Sequence, residues 1–338
     1  MLWLKRVTAF FAAIALSVLA FPVQAQGMEK VSVRLDWVPW GAHAPFHLAQ
    51  QKGWFKDAGL EAEIQDGNGT VTTIQFVGSG NFDVGHASLA SMIVARDKGL
   101  AVKAIASFLR KNDIGLLVPK GSGLMTPKDL VGKKMIFTAG SLEAPFLDTF
   151  LAAGGVKREQ VEFINVEAAS KVSTYLAGRA DGVFSTVPFV LPLVAAQRVS
   201  EAVLFADNGL QFPSFGLVAS DDGIKNRAAA LRKFASIVAG AWEYIYAGHQ
   251  DEAVQAIIAQ RPQAKLDPKV LRSQIDSIQE FFATPASQGQ PIGVMAAKDW
   301  DIAIKTIADA KLIKGGRPTD FYTNALLDPG MIKKLSGK

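Results

Sequence analysis

Asp36, Trp37, Trp40 and His43 lie in one short stretch, DWVPWGAH, directly after KVSVRL, whose alternation suits a strand. An acid that accepts hydrogen bonds, two indole rings and a titratable imidazole together suit a small aromatic or heteroaromatic solute. The rings would stack on its face and the acid would receive an amine or amide. The alternative is structural, with the indoles capping a sheet edge and Asp36 capping a turn.

Other strand-like runs end in similar chemistry. FDVGHA leads to Ser88, KKMIFTA leads to Ser141 and Glu143, and DGVFST contains Ser185 and leads to Pro188. In α/β sheets ligands bind beyond the carboxyl ends of strands, so Ser88, Glu143, Ser185 and Pro188 join Asp36, Trp37, Trp40 and His43 as candidate ligand contacts. Glu143 can also be read as an acid favouring its own helix dipole, and an acid there disfavours a phosphate or sulfonate guest.

His43 and His47 have the i, i+4 spacing of a metal pair, and His86 with an acid could complete a set. However, residues 44 and 45 are Ala and Pro, and the HExxH pattern is absent, so no metal site is expected. GNGT and GSGN are neither P-loops nor dinucleotide fingerprints, and there is no GxSxG elbow. With four histidines and no cysteine, the expectation is no catalytic residues, no cofactor and no disulfides.

The elements that must position these residues alternate. Short Val-, Ile- and Phe-rich runs are separated by stretches with helical spacing, such as TVTTIQFVGS, LASMIVARDKG and ASKVSTYLAGRA. That alternation predicts an α/β fold with mostly parallel sheets covered by helices on both faces. The spans AIASFLRKNDIGLLVPK and LFADNGLQFPSFGLVAS each break at a polar centre and read as two crossovers between lobes. The predicted architecture is thus a two-lobed binding-protein fold. Residues 28–109 and 214–338 form a discontinuous first lobe clad by C-terminal helices, and residues 110–213 form the second. A single helix is read over Pro45 to Phe55, with Trp54 and Phe55 packing behind it.

The first 25 residues combine MLWLKR, an uncharged run and a small-x-small site at Ala25, the pattern of a cleavable secretory signal. Without cysteine there is no lipid anchor, so the expectation is a periplasmic protein. The net charge of +5 falls to +3 once Lys5 and Arg6 leave, and no run of like charge suggests nucleic acid.

The residues also carry a resemblance. RLDWVP followed by HAPFHLAQQKGWFKDAGLEAEI, then GSGNFDVGHA, LVGKKM and LAGRADG before VPF, is similar to the solute-binding proteins of ABC importers for thiamine pyrimidine precursors, riboflavin, nitrate, alkanesulfonates and taurine. The Asp36-Trp37-x-Pro39 and His43 arrangement resembles the members for flat heterocycles most. The resemblance implies two α/β lobes that close on a small-molecule ligand and present it to an inner-membrane permease, with the protein acting as a monomer. Riboflavin, an aromatic carboxylate, or an alkanesulfonate or taurine are the alternative cargoes. The family's eukaryotic branch makes the thiamine pyrimidine with pyridoxal phosphate, a histidine and a cysteine-rich motif. This cysteine-free chain departs from that branch, so an enzyme of pyrimidine synthesis is not the expectation.

Overall fold

A computed structural model describes residues 27–337; the expected signal segment lies outside the described residues. The strands in chain order are β1 (Glu29–Arg34), β2 (Leu60–Gln65), β3 (Val84–Ser88), β4 (Val102–Ser107), β5 (Ile114–Pro119), β6 (Lys134–Phe137), β7 (Glu162–Asn165), β8 (Gly182–Thr186), β9 (Ser200–Leu204) and β10 (Phe215–Ser220). They form two sheets, ordered β2-β1-β3-β10-β4 and β7-β6-β8-β5-β9. Strands β3 and β8 are buried at every residue, as expected of central strands with both faces covered. On the edge strand β2, exposed residues alternate with covered ones.

The sheets are mixed, where the sequence pattern suggested mostly parallel ones. The pairs β1/β2, β1/β3, β6/β7 and β6/β8 are parallel. Strand β10 is antiparallel to β3 and β4, and β5 is antiparallel to β8 and β9. The reason is topological. Both reversed strands follow a crossover, so the chain enters the new sheet at its cleft end and must run away from the cleft, while the other strands run toward it.

The crossovers, residues 108–113 and 205–214, are bonded to each other. Ser214 N–H donates to Leu109 O at 2.8 Å, Phe108 N–H to Phe215 O at 2.9 Å, and Asn112 Nδ2 to Leu210 O at 2.7 Å. Asp113, fully buried, accepts from Ser214 Oγ and from Thr186 Oγ1 at the end of β8. Burial raises its carboxyl to about 6 despite these bonds.

The C-terminal helices cover the first sheet and also reach the second lobe. The amphipathic helix Ala228–Ile245 packs on the helix Ala44–Gln51, and Phe234 stacks on Phe55 at 5.1 Å. The helix Pro268–Ile278 does more than clad the first lobe. Its Gln274 accepts from Gly41 N–H and donates to Phe189 O, each at 2.9 Å, so one side chain spans the cleft. The single helix read over Pro45 to Phe55 is broken: Gly53 adopts φ 75°, a left-handed turn, and a short helix restarts at Trp54–Asp57. No helix among the described residues is long and apolar enough to cross a membrane.

Candidate functional site

The stretch after β1 leads into a 3-10 turn at Gly41–His43 and then the helix Ala44–Gln51, which carries Asp36 and His43 to the cleft end of the first sheet. His86 arrives there from the middle of the neighbouring strand β3. Asp36 Oδ1 accepts from His43 Nε2 at 2.9 Å and from His86 Nδ1 at 2.6 Å, and both imidazoles are fully buried. Burial alone would raise the Asp36 carboxyl, but the opposing charge and hydrogen bonds of the two histidines hold it well below the usual range. Burial pushes the His43 imidazole down and so favours its neutral form, against the opposite pull of Asp36.

An ionised Asp36 can only accept, so the protons on the two facing nitrogens point at it. The outer nitrogens, His43 Nδ1 and His86 Nε2, have no partner among the described residues. These three side chains also have the proximity of a metal-ligand set. A metal held between them would move each proton to the outer nitrogen, where histidine ligands normally donate to a second group. No such acceptor stands there, so the trio fits a hydrogen-bonded carboxylate better than a metal centre.

Asp36 Oδ2 receives no hydrogen bond from the described residues. Asp36 lines a small cavity between the lobes whose apolar walls are Trp37 and Trp40 from the first lobe and Phe189 and Leu142 from the second. Phe189 meets both indoles edge-on, with ring centroids 6.5 Å from Trp37 and 5.5 Å from Trp40. Trp40 also packs against Phe215 and His43, so it props the wall as well as facing the cavity. The indole nitrogens of Trp37 and Trp40 are buried and unpartnered among the described residues. Thr70, Ser141, Lys171, Ser185 and Thr186 supply further polar groups.

The lobes are drawn together around this cavity. Val71 N–H donates to Gly140 O at 3.0 Å across the cleft, and a Cβ on Gly69 would come within 2.8 Å of the same oxygen. The GNGT segment, read from sequence as an ordinary turn, is therefore where two backbones approach too closely for a side chain.

Of the eight candidate contacts, Asp36, Trp37, Trp40 and Ser185 line the cavity. His43 stands behind Asp36 and orients it. Ser88 is not at the cavity: its hydroxyl caps the helix Leu89–Asp97 by accepting from Ser91 N–H, while its own N–H donates to Thr70 Oγ1, and Thr70 lines the cavity instead. Pro188 lies in the first turn of the helix Val187–Val194, and its neighbour Phe189 faces the cavity instead. Glu143 does not stand free as a dipole partner or an open acceptor. It is fully buried and its Oε1 accepts from Lys171 Nζ at 2.5 Å. Lys171, which the sequence reading passed over, opens the helix Lys171–Leu176. Its signal was a lysine one helical turn before Tyr175, on the face that Tyr175 buries.

Two lobes, each a five-stranded mixed sheet flanked by helices, joined by two crossovers and meeting at the strand ends, define the periplasmic-binding-protein fold. The aliphatic sulphonate binding protein of Escherichia coli matches it with a TM-score of 0.66 over 88% of this chain and 99% of its own, at 15% identity. The chain belongs to the NMT1/THI5-like family, whose sequence profile matches residues 40–253. It is similar to the formylaminopyrimidine-binding protein of Halalkalibacterium halodurans, at 23% identity over 82% of this chain and 84% of that protein. It is also similar to a 4-amino-5-hydroxymethyl-2-methylpyrimidine phosphate synthase of Saccharomyces cerevisiae, at 27% identity over 65% of this chain and 68% of that protein.

Proposed function

We propose that the protein is the periplasmic solute-binding component of an ABC importer. On this reading it takes up a small amino-substituted heteroaromatic solute of the thiamine-pyrimidine-precursor type and passes it to a membrane permease. The observation that carries the reading is the Asp36 carboxylate, fixed by two histidines, with a free oxygen beside a cavity walled by Trp37, Trp40 and Phe189. A flat ring would stack on the aromatic walls while its amino group donates to Asp36 Oδ2.

The likeness to a formylaminopyrimidine-binding protein supports this cargo over the riboflavin, aromatic carboxylate and sulfonate alternatives, since an unpaired carboxylate oxygen repels an anion. A binding role is favoured over catalysis by the placement of His43 and His86. Both are fully buried behind Asp36, neither lines the cavity, and neither is positioned as a general acid or base for a solute there. The leader-like first 25 residues fit export to the periplasm.

Native mass spectrometry of freshly purified protein tests the reading. Retention of a pyrimidine of unaltered mass is expected. Release of a chemically converted product during incubation would instead indicate an enzyme.

A further inference from the structure

Lys171 belongs to the second lobe and its ammonium lies 5.4 Å from the ring centroid of Trp37, on the first lobe. The side chain is 1% exposed and lines the cavity. An ammonium has three N–H donors, and one of them is directed to Glu143 Oε1. Glu143 Oε2 is buried with no partner among the described residues. Burial pushes the Lys171 ammonium down in pKa, and the Glu143 carboxylate opposes that shift.

A buried lysine without its own counter-ion would draw an anion into the cavity. Glu143 supplies that counter-ion from within the protein, so the pair is neutral as a unit, while Asp36, held on Oδ1 by His43 and His86, presents its second oxygen. What remains available to a solute is a donor on the Lys171 side and an acceptor on the Asp36 side.

We infer that the Glu143–Lys171 pair is a charge filter: Lys171 donates to a neutral acceptor on the solute, a ring nitrogen or carbonyl oxygen, and Glu143 keeps Lys171 from admitting anions. This rests on the solute-binding reading above. The filter passes neutral or cationic amino-heteroarenes and rejects the same ring carrying a phosphate or carboxylate.

Calorimetric titration with 4-amino-5-hydroxymethyl-2-methylpyrimidine and with its phosphate ester tests it. Wild-type protein is expected to prefer the alcohol by about a hundredfold or more. Glu143→Gln, which frees Lys171 for an anion, is expected to narrow that preference by at least about tenfold. Lys171→Met is expected to weaken the alcohol by about tenfold to a hundredfold, the range for a hydrogen bond to a charged group, without admitting the ester. Should Glu143→Gln fail to fold with an unpaired buried lysine, the double variant Glu143→Gln, Lys171→Met leaves no unpaired buried charge. It is expected to bind both compounds more weakly than wild type, and alcohol binding as tight as wild type would overturn the role given to Lys171. A Glu143→Gln protein that keeps the wild-type preference overturns the filter alone. Wild-type protein that binds neither compound overturns the pyrimidine reading, and the filter with it.

Discussion

Trp37 and Phe189 meet across the cleft, one indole and one phenyl ring edge to face with centroids 6.5 Å apart, although 152 residues separate them in the chain. Their contact exists only when the lobes are together, and both rings wall the cavity beside Asp36. A ligand that enters here must part them first. Closure then reflects better contacts in the closed state than in the open one.

Trp37→Ala is expected to remove most of the affinity, by about tenfold to a hundredfold, while leaving the melting temperature of ligand-free protein little changed. The indole's ring and cation–π contacts are with Phe189 and Lys171 of the other lobe. Tryptophan fluorescence titration and a thermal melt of the same preparation check both halves. A large drop in melting temperature with unaltered affinity would place Trp37 in the core.

Asp36→Asn keeps an acceptor for the two histidines but removes the charge they hold in place. Ligand affinity is expected to fall by at least about a hundredfold, with a stability loss on the order of 1–3 kcal/mol from the weakened buried bonds. Chemical denaturation alongside titration separates the two. Affinity close to wild type would show that the free carboxylate oxygen does not meet the solute.

About half of this site was legible in the sequence, for definable reasons. Asp36, Trp37 and Ser185 follow from chain order alone, because residues at or just past strand ends face the cleft in such sheets. Pro188 for Phe189 is a miss by one residue, since the phase of a short helix is not fixed by its composition. Lys171 and Thr70 meet at the cavity through the approach of two lobes, which no local pattern encodes; the helical spacing of Lys171 and Tyr175 marks a shared face but not the cavity it reaches. The reversal of β5 and β10 was hidden too, because a strand buried on both faces has the same apolar run in either direction.

Gln274 is a latch of two hydrogen bonds, one to Gly41 and one to Phe189 O. Gln274→Ala is expected to weaken binding about fivefold to thirtyfold, chiefly through faster dissociation, because each lost bond costs on the order of 1 kcal/mol of closed state. Stopped-flow dissociation kinetics measure this. An unchanged off-rate would mean that the latch does not contribute to closure.

Asp113, at the hinge, gives a pH dependence of known sign. Its carboxyl is raised to about 6 in the folded protein from an ordinary 3.8, so between roughly pH 4 and 6 the unfolded chain loses this proton before the folded one does. Its contribution to stability is therefore greatest below pH 4 and declines as pH rises to 6, by on the order of 3 kcal/mol in all. His47, lowered to about 4 chiefly by burial, acts in the opposite sense over pH 4 to 6.5, losing stability as pH falls. The two slopes partly cancel in wild type, so the informative quantity is the difference between wild type and Asp113→Asn, followed by urea denaturation from pH 4 to 7. The variant is expected to gain stability relative to wild type as pH rises through this window, and a flat difference would contradict the buried-carboxyl assignment.

The most direct test of the central claim is calorimetric titration of wild-type protein with a formylaminopyrimidine, with the solute recovered afterward and weighed by mass spectrometry. Saturable one-to-one binding and recovery of the unaltered compound are predicted. No detectable heat at millimolar solute, or recovery of a converted product, would contradict the account.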